Sequence, residues 1–156
     1  MLTGLRQNTQ YVVRVRSLCG DSLSHWKYTY FTTDVANYDR LYVTTTGEGN
    51  GDTWATACGD LNWTMETATR IQSKYGTFPD IWVSAGTYYG DTLSSDAFTM
   101  REGVSMYGGF AGNEPADYDL SLRDFAANAT ILDGQHRRRV VYQPNSFNTR
   151  TALDGF

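Results

Sequence analysis

Val104-Ser105-Met106-Tyr107-Gly108-Gly109-Phe110-Ala111-Gly112-Asn113-Glu114 is the stretch on which the reading of this chain turns. Val104 to Tyr107 alternates aliphatic and polar or aromatic residues, as a strand does. Gly108-Gly109 then predicts a bend or bulge rather than a strand interior, because paired glycines weaken a strand and allow close backbone approach. The pattern has echoes downstream. Ala129-Thr130-Ile131-Leu132-Asp133-Gly134 is a short apolar run ending in Asp-Gly, and Thr151-Ala152-Leu153-Asp154-Gly155-Phe156 repeats it. The two Leu-Asp-Gly copies, at 132 and 153, are 21 positions apart. A short strand, a tight turn and a return distance of about 20 residues predict the rungs of a solenoid.

Upstream of that stretch the same style of sequence continues. Leu41-Tyr42-Val43-Thr44 predicts a strand, followed by the glycine-rich loop Thr46-Gly47-Glu48-Gly49-Asn50-Gly51-Asp52. The loop lacks the Lys-Ser or Lys-Thr of a phosphate-binding loop, so it is read as structural. Asp60 to Tyr75 is the one stretch with helical periodicity: Leu61, Met65, Ala68 and Ile71 fall on one face. Asp60 predicts the N-cap and Gly76 the C-cap, and Arg70 and Lys74 suit the C-terminal end of the dipole. Met65 and Trp63 are expected as core or cap residues. Ile81-Trp82-Val83 then predicts a strand ended by Ala85-Gly86.

The first thirty-odd residues are different. Tyr11, Val13 and Val15 alternate with Val12, Arg14 and Arg16, as in a half-buried antiparallel strand. Cys19-Gly20-Asp21-Ser22 predicts a turn, and Tyr28 to Thr33 a second strand. Leu5, Asn8, Thr9, Tyr11, Val13 and Val15, with Trp26 and Phe31-Thr32-Thr33, resemble the last part of a fibronectin type III domain, although the proline common near Gln7 is missing. The resemblance implies a tyrosine corner made by Leu5 and Tyr11. It covers residues 1–33, and 34–39 reads as a polar linker. Only two strands of a module of about seven are present, so this segment is expected to be incomplete.

From Arg40 onward the chain resembles the N-terminal part of right-handed parallel β-helix proteins, the pectin-lyase-like solenoids of bacterial secreted and surface proteins. The residues that carry this are Leu41-Tyr42-Val43 with the Gly47 to Gly51 loop, Trp54-Ala55, the helix, Ile81 to Tyr88, Gly108 to Glu114, Arg123-Asp124, Asn128 and Thr130 to Gly134. The resemblance implies a mainly β fold over 40–156, with the single helix capping the open end of the first rungs. The sequence stops at Phe156 inside a rung motif, so this portion too is expected to be truncated.

Composition sets limits on function. Gly, Thr, Tyr, Asn and Asp are abundant and charged residues make up only 19%, which suits short strands and turns over long helices. A net charge of -4 gives no support to nucleic-acid binding. The one basic run, Arg137-Arg138-Arg139 after His136, is accounted for by a solvated loop. No run of about 18 apolar residues predicts a membrane span, and the residues after Met1 form no signal peptide. Cys19 and Cys58 fall in different modules without CxxC spacing, so neither a disulfide between them nor a zinc site is expected.

No catalytic constellation emerges. His25 and His136 lack orienting partners, and Ser84 lacks the GxSxG context. Asp133 and Asp154 precede glycines, where turn chemistry explains them. Tyr88, Tyr89, Tyr107 and Trp82 could stack on sugars, but core or inter-rung packing also accounts for aromatics at strand positions. Polysaccharide lyases of the resembled class would bring Ca2+. Glu114, Asp117, Asp119 and Asp124 are the candidate carboxylates, but without EF-hand spacing. Bracing of the loop, with Glu114 and Arg123-Asp124 in an ion pair, is the simpler role. No cofactor, metal ligand or catalytic residue is therefore assigned, and no substrate-binding residue is identified.

The expected function is part of an exported, secreted or cell-surface bacterial protein that contacts polysaccharide, matrix or cell-surface components without catalysis. The alternative is the N-terminal part of a polysaccharide lyase or glycoside hydrolase with its active site in later rungs.

Overall fold

The computed structural model describes residues 4–91 and 93–156. Leu2 and Thr3, which belong to the segment read as the first strand pair, lie outside them. The fold is mainly β with one α-helix, and the chain forms two compact units, Met1–Ala36 and Asn37–Phe156.

The first unit is a pair of antiparallel ribbons. β1 (Gln10–Val15) pairs with β4 (Lys27–Thr32), with Tyr11 opposite Phe31 and Val13 opposite Thr29. Between them β2 (Leu18–Cys19) and β3 (Ser22–Leu23) form a small hairpin whose turn contains Gly20, at φ 59°. The alternation read in the sequence places Tyr11 and Phe31 together, with ring centroids 5.7 Å apart. Arg14 and Arg16 lie over the Trp26 ring, at 5.1 and 4.4 Å. The Tyr11 hydroxyl accepts from the Arg6 amide at 2.8 Å, which ties the start of β1 to the backbone before it. Cys19 is exposed with a free thiol.

The second unit is built on parallel strands. β5 (Arg40–Val43), β6 (Asp80–Ser84), β9 (Met106–Phe110) and β12 (Leu153–Asp154) form one sheet in the order β12-β9-β6-β5. β7 (Gly86–Tyr88) pairs in parallel with β10 (Thr130–Leu132), and β8 (Asp96–Thr99) with β11 (Arg139–Tyr142). The chain thus runs β6, β7, β8 and then lays β9, β10 and β11 alongside them. α1 (Leu61–Tyr75) packs against β5, β6 and β8 and buries Leu61, Met65, Ala68 and Ile71, the face expected from their spacing. Asp60 is its N-cap, and Gly76 its C-cap at φ 74°.

Register explains the main sheet's two faces. Leu41, Ile81, Met106 and Leu153 align on one side, and Tyr42, Trp82, Tyr107 and Asp154 on the other. Every one of these in β5, β6 and β9 is buried, as a parallel sheet covered on both faces requires. On the aromatic side Trp82 stacks on Phe110 at 4.4 Å, and Trp54 and Tyr118 pack around them. Arg40 lies over the Trp82 ring at 3.6 Å and donates to the Ala116 carbonyl.

Three expectations are refined. The strand continues through Gly108-Gly109 to Phe110, and the expected bulge falls at these glycines: Tyr107 pairs with Trp82 and Phe110 with Ser84, so one residue of β6 faces two of β9. A Cβ on Gly108 would collide with the Gly155 carbonyl, and Gly109 adopts φ 88°, so the glycines let the strand bend under its neighbours. The two Leu-Asp-Gly copies do not stack on one another. Leu132 lies in β10 and pairs with Tyr88, whereas Leu153 lies in β12 and pairs with Met106. The return distances vary: Ile81 to Met106 is 25 positions, near the 21-residue echo, whereas Gly86 to Thr130 and Asp96 to Arg139 are about twice it. Finally, α1 packs against β5, while the backbone groups along the free edge of β5 are met by the glycine loop and the segment after it: Tyr42 donates to Gly51, Cys58 to Tyr42, and Thr44 to Cys58, at 2.8 to 3.0 Å.

Candidate functional site

A groove of about 700 Å³ opens beside the first turns of α1 and the connection from β7 to β8. Its geometry starts from the N-cap. The Asp60 carboxylate accepts from the Trp63 amide at 2.9 Å, which fixes the first turn. Helical spacing then sets Asn62, Trp63 and Glu66 off the buried Leu61-Met65-Ala68 face, and all three line the groove. The opposite wall comes from Tyr89 and Asp91, with Asp96 and Thr99 from β8 and Arg101 after it.

One carbonyl ties these walls together. The Ala97 oxygen accepts from the Asn62 side-chain amide at 2.8 Å and from the Asp91 backbone amide at 3.0 Å. Gly90, at φ 68°, makes this approach feasible, because a Cβ there would collide with the same oxygen. Tyr88 forms part of the floor. Its hydroxyl donates to the Ser84 carbonyl at 3.1 Å, and burial pushes its phenol pKa up. The next residue, Tyr89, is 49% exposed.

Carboxylates dominate the groove. Asp60, Glu66, Asp91 and Asp96 line it, with Arg101 as the lining guanidinium. Asp96 pairs with Arg139 at 3.5 Å, and Asp91 accepts from the Leu93 amide at 2.8 Å. Glu66 and Arg101 are both exposed, and among the described residues neither is held in an ion pair. The groove therefore combines aromatic surface, charges of both signs and an amide, a set suited to binding a polar ligand with apolar faces.

The residues singled out in the sequence are distributed differently. Trp82, Tyr88 and Tyr107 are buried and cannot stack on a sugar, which leaves Tyr89 of that set. Trp63, expected as a core or cap residue, gives its amide to the Asp60 cap, and the residue is half-buried at the groove. The Glu114 carboxylate accepts from the amides of Ala111, Gly112 and Asn113. Asp124 accepts from Ala126 and Ala127, and Asp119 from Ser121. These three close turns, and Asp117 is exposed. Among the described residues no group of three or more His, Cys, Asp or Glu is placed to hold a metal.

The expected ion pair between Glu114 and Arg123-Asp124 is replaced by another. Arg123 reaches Asp154 at 2.9 Å and donates to the Leu120 and Gly108 carbonyls. Asp133 accepts from the Gln135 amide, as turn chemistry predicted. Ser84 is buried against the Tyr88 hydroxyl, and His136 sits in a turn at φ 53°. Of the basic run, Arg139 belongs to β11 while Arg137 and Arg138 lie in the turn before it. Cys58 is buried, and its Sγ accepts from the Asp60 amide at 3.3 Å.

Sequence reasoning missed the groove because its two sides are more than twenty positions apart and β7 and β8 were not anticipated. The available signal was Trp63 and Glu66, three apart on a helix but off its apolar face. No family model, curated protein or solved structure matches this chain. Among the described residues no helix is long and apolar enough to cross a membrane.

Proposed function

We propose that this chain belongs to an exported bacterial cell-surface protein and contacts carbohydrate through the α1 groove without catalysing a reaction on it. In this reading residues 1–33 form the closing strands of a fibronectin type III domain, and residues 40–156 the N-terminal portion of a right-handed parallel β-helix. The Tyr11-to-Arg6 hydrogen bond supports the first assignment, since a tyrosine corner bonds back to the backbone a few residues upstream. The parallel pairing of β6 with β9, β7 with β10 and β8 with β11, taken in chain order, supports the second.

The observation that carries the functional reading is the groove itself: Tyr89 and Trp63 beside the exposed Glu66 and Arg101. Sugar rings present apolar C–H faces to aromatic side chains and hydroxyls to charged and amide groups, and the groove offers both kinds of surface. The test is a screen of the protein against a broad glycan panel, repeated with Tyr89→Ala. Binding that falls at least about tenfold in the variant, the equivalent of about 1.4 kcal/mol, is the expected result. Equal binding by both proteins, or binding to no glycan, contradicts the proposal.

A further inference from the structure

We propose that the groove prefers an amino sugar, in its protonated form, over a uronate. This inference rests on the carbohydrate-contact reading and names the class of sugar. Four carboxylates and a single guanidinium line the groove. Arg139 engages Asp96 at 3.5 Å, but even with that pair set aside the carboxylates are in excess. A uronate carboxylate brought here would meet Arg101 and be repelled by Asp60, Glu66 and Asp91. A protonated sugar amine meets the opposite balance.

A second, independent term has the same sign. Trp63 and Tyr89 line the groove, and an aromatic face attracts an ammonium group by its quadrupole while doing nothing comparable for an anion. Glu66 lies three residues from Trp63 on α1, so the two are neighbours on the helix surface. Glu66 is exposed and among the described residues is held in no ion pair, so an incoming amine displaces no existing partner. The Asn62 side-chain amide gives one of its two N–H hydrogens to the Ala97 carbonyl, which orients the group and leaves its side-chain oxygen as an acceptor for a hydroxyl or amine.

The probes are trimers of glucosamine, N-acetylglucosamine and galacturonate, titrated into the 156-residue chain by calorimetry at low ionic strength. The glucosamine trimer is expected to bind about tenfold more tightly than its acetylated counterpart, and galacturonate most weakly. Glu66→Gln changes an exposed side chain and should leave the fold intact while removing most of that ratio. Added salt should shrink it as well. Equal affinity for amine and acetamide, tighter binding of galacturonate, or an unchanged ratio in Glu66→Gln overturns the inference. In each of those cases a sugar still binds, and the carbohydrate reading stands. Binding of none of the three trimers also overturns it, and the broader panel then decides the reading beneath.

Discussion

Arg123 joins two segments of the second unit through several contacts of one side chain. Its side chain is 5% exposed and donates to Leu120, Gly108 and Asp154, joining the loop after β9 to the edge strand β12. Asp154 falls in register with Tyr107, at the end of the aromatic face, and Arg123 also lies 5.4 Å from the Tyr107 ring centre. The carboxylate itself is half exposed. The two partners should therefore respond unequally. Arg123→Ala removes the donors from two carbonyls as well as the ion pair and should cost about 2–4 kcal/mol in urea unfolding. Asp154→Asn keeps an acceptor in place and should cost less than about 1 kcal/mol. Equal losses would show that the ion pair, and not the carbonyl contacts, dominates.

Glu102 gives a pH-dependent counterpart. The Asn148 and Thr149 amides donate to it at 2.7 and 2.9 Å and hold its carboxyl below the usual range. A carboxyl depressed in the folded state contributes stability that is present above its unfolded pKa and is lost as pH falls through the folded one. Glu102→Gln should therefore lower Tm at neutral pH, and the gap to wild type should close in acid, below about pH 4. A gap that persists unchanged under those conditions would rule out the carboxylate as its source.

At the scale of elements, α1 is the best-specified piece. Its apolar face, its Asp60 cap and its Gly76 stop are all legible in the sequence, because helical period and cap chemistry are local signals. Asp60→Ala should destabilise by about 1 kcal/mol. It should also disturb the groove, because the same carboxylate orients the turn that carries Trp63. The glycine loop was legible as structural, but not its task. A Cβ on Gly49 would collide with the Thr56 carbonyl, and one on Gly47 with that of Ala57. These glycines let the loop lie against residues 56–58 while that segment bonds the edge of β5. Gly49→Ala should cost about 1–3 kcal/mol, the usual penalty of forced repacking, measured by chemical denaturation. β7, β8 and β11 were not legible. Each is three or four residues long, too short for alternation to register, and their pairing partners lie more than forty positions away. The Leu-Asp-Gly echo misled for the same reason: an apolar residue before an Asp-Gly turn ends strands in different sheets alike.

At the scale of the molecule, a mainly β fold with one helix followed from composition and pattern, whereas the groove did not. It exists because parallel return of the chain brings α1, the β7–β8 connection and Arg101 around one carbonyl, that of Ala97. No stretch of sequence contains that convergence. The same topology explains why most of the aromatics first considered for ligand contact are core: register stacks Tyr42, Trp82 and Tyr107 across the main sheet. It leaves Tyr89 exposed just past the end of β7. The most direct test of the account is an NMR titration of the isotope-labelled chain with the tightest-binding glycan from the panel, following backbone amides. Shifts concentrated at residues 60–66 and 88–101, and absent in Tyr89→Ala, are predicted. Shifts centred elsewhere, or none at saturating glycan, would contradict the assignment of the groove as the contact site.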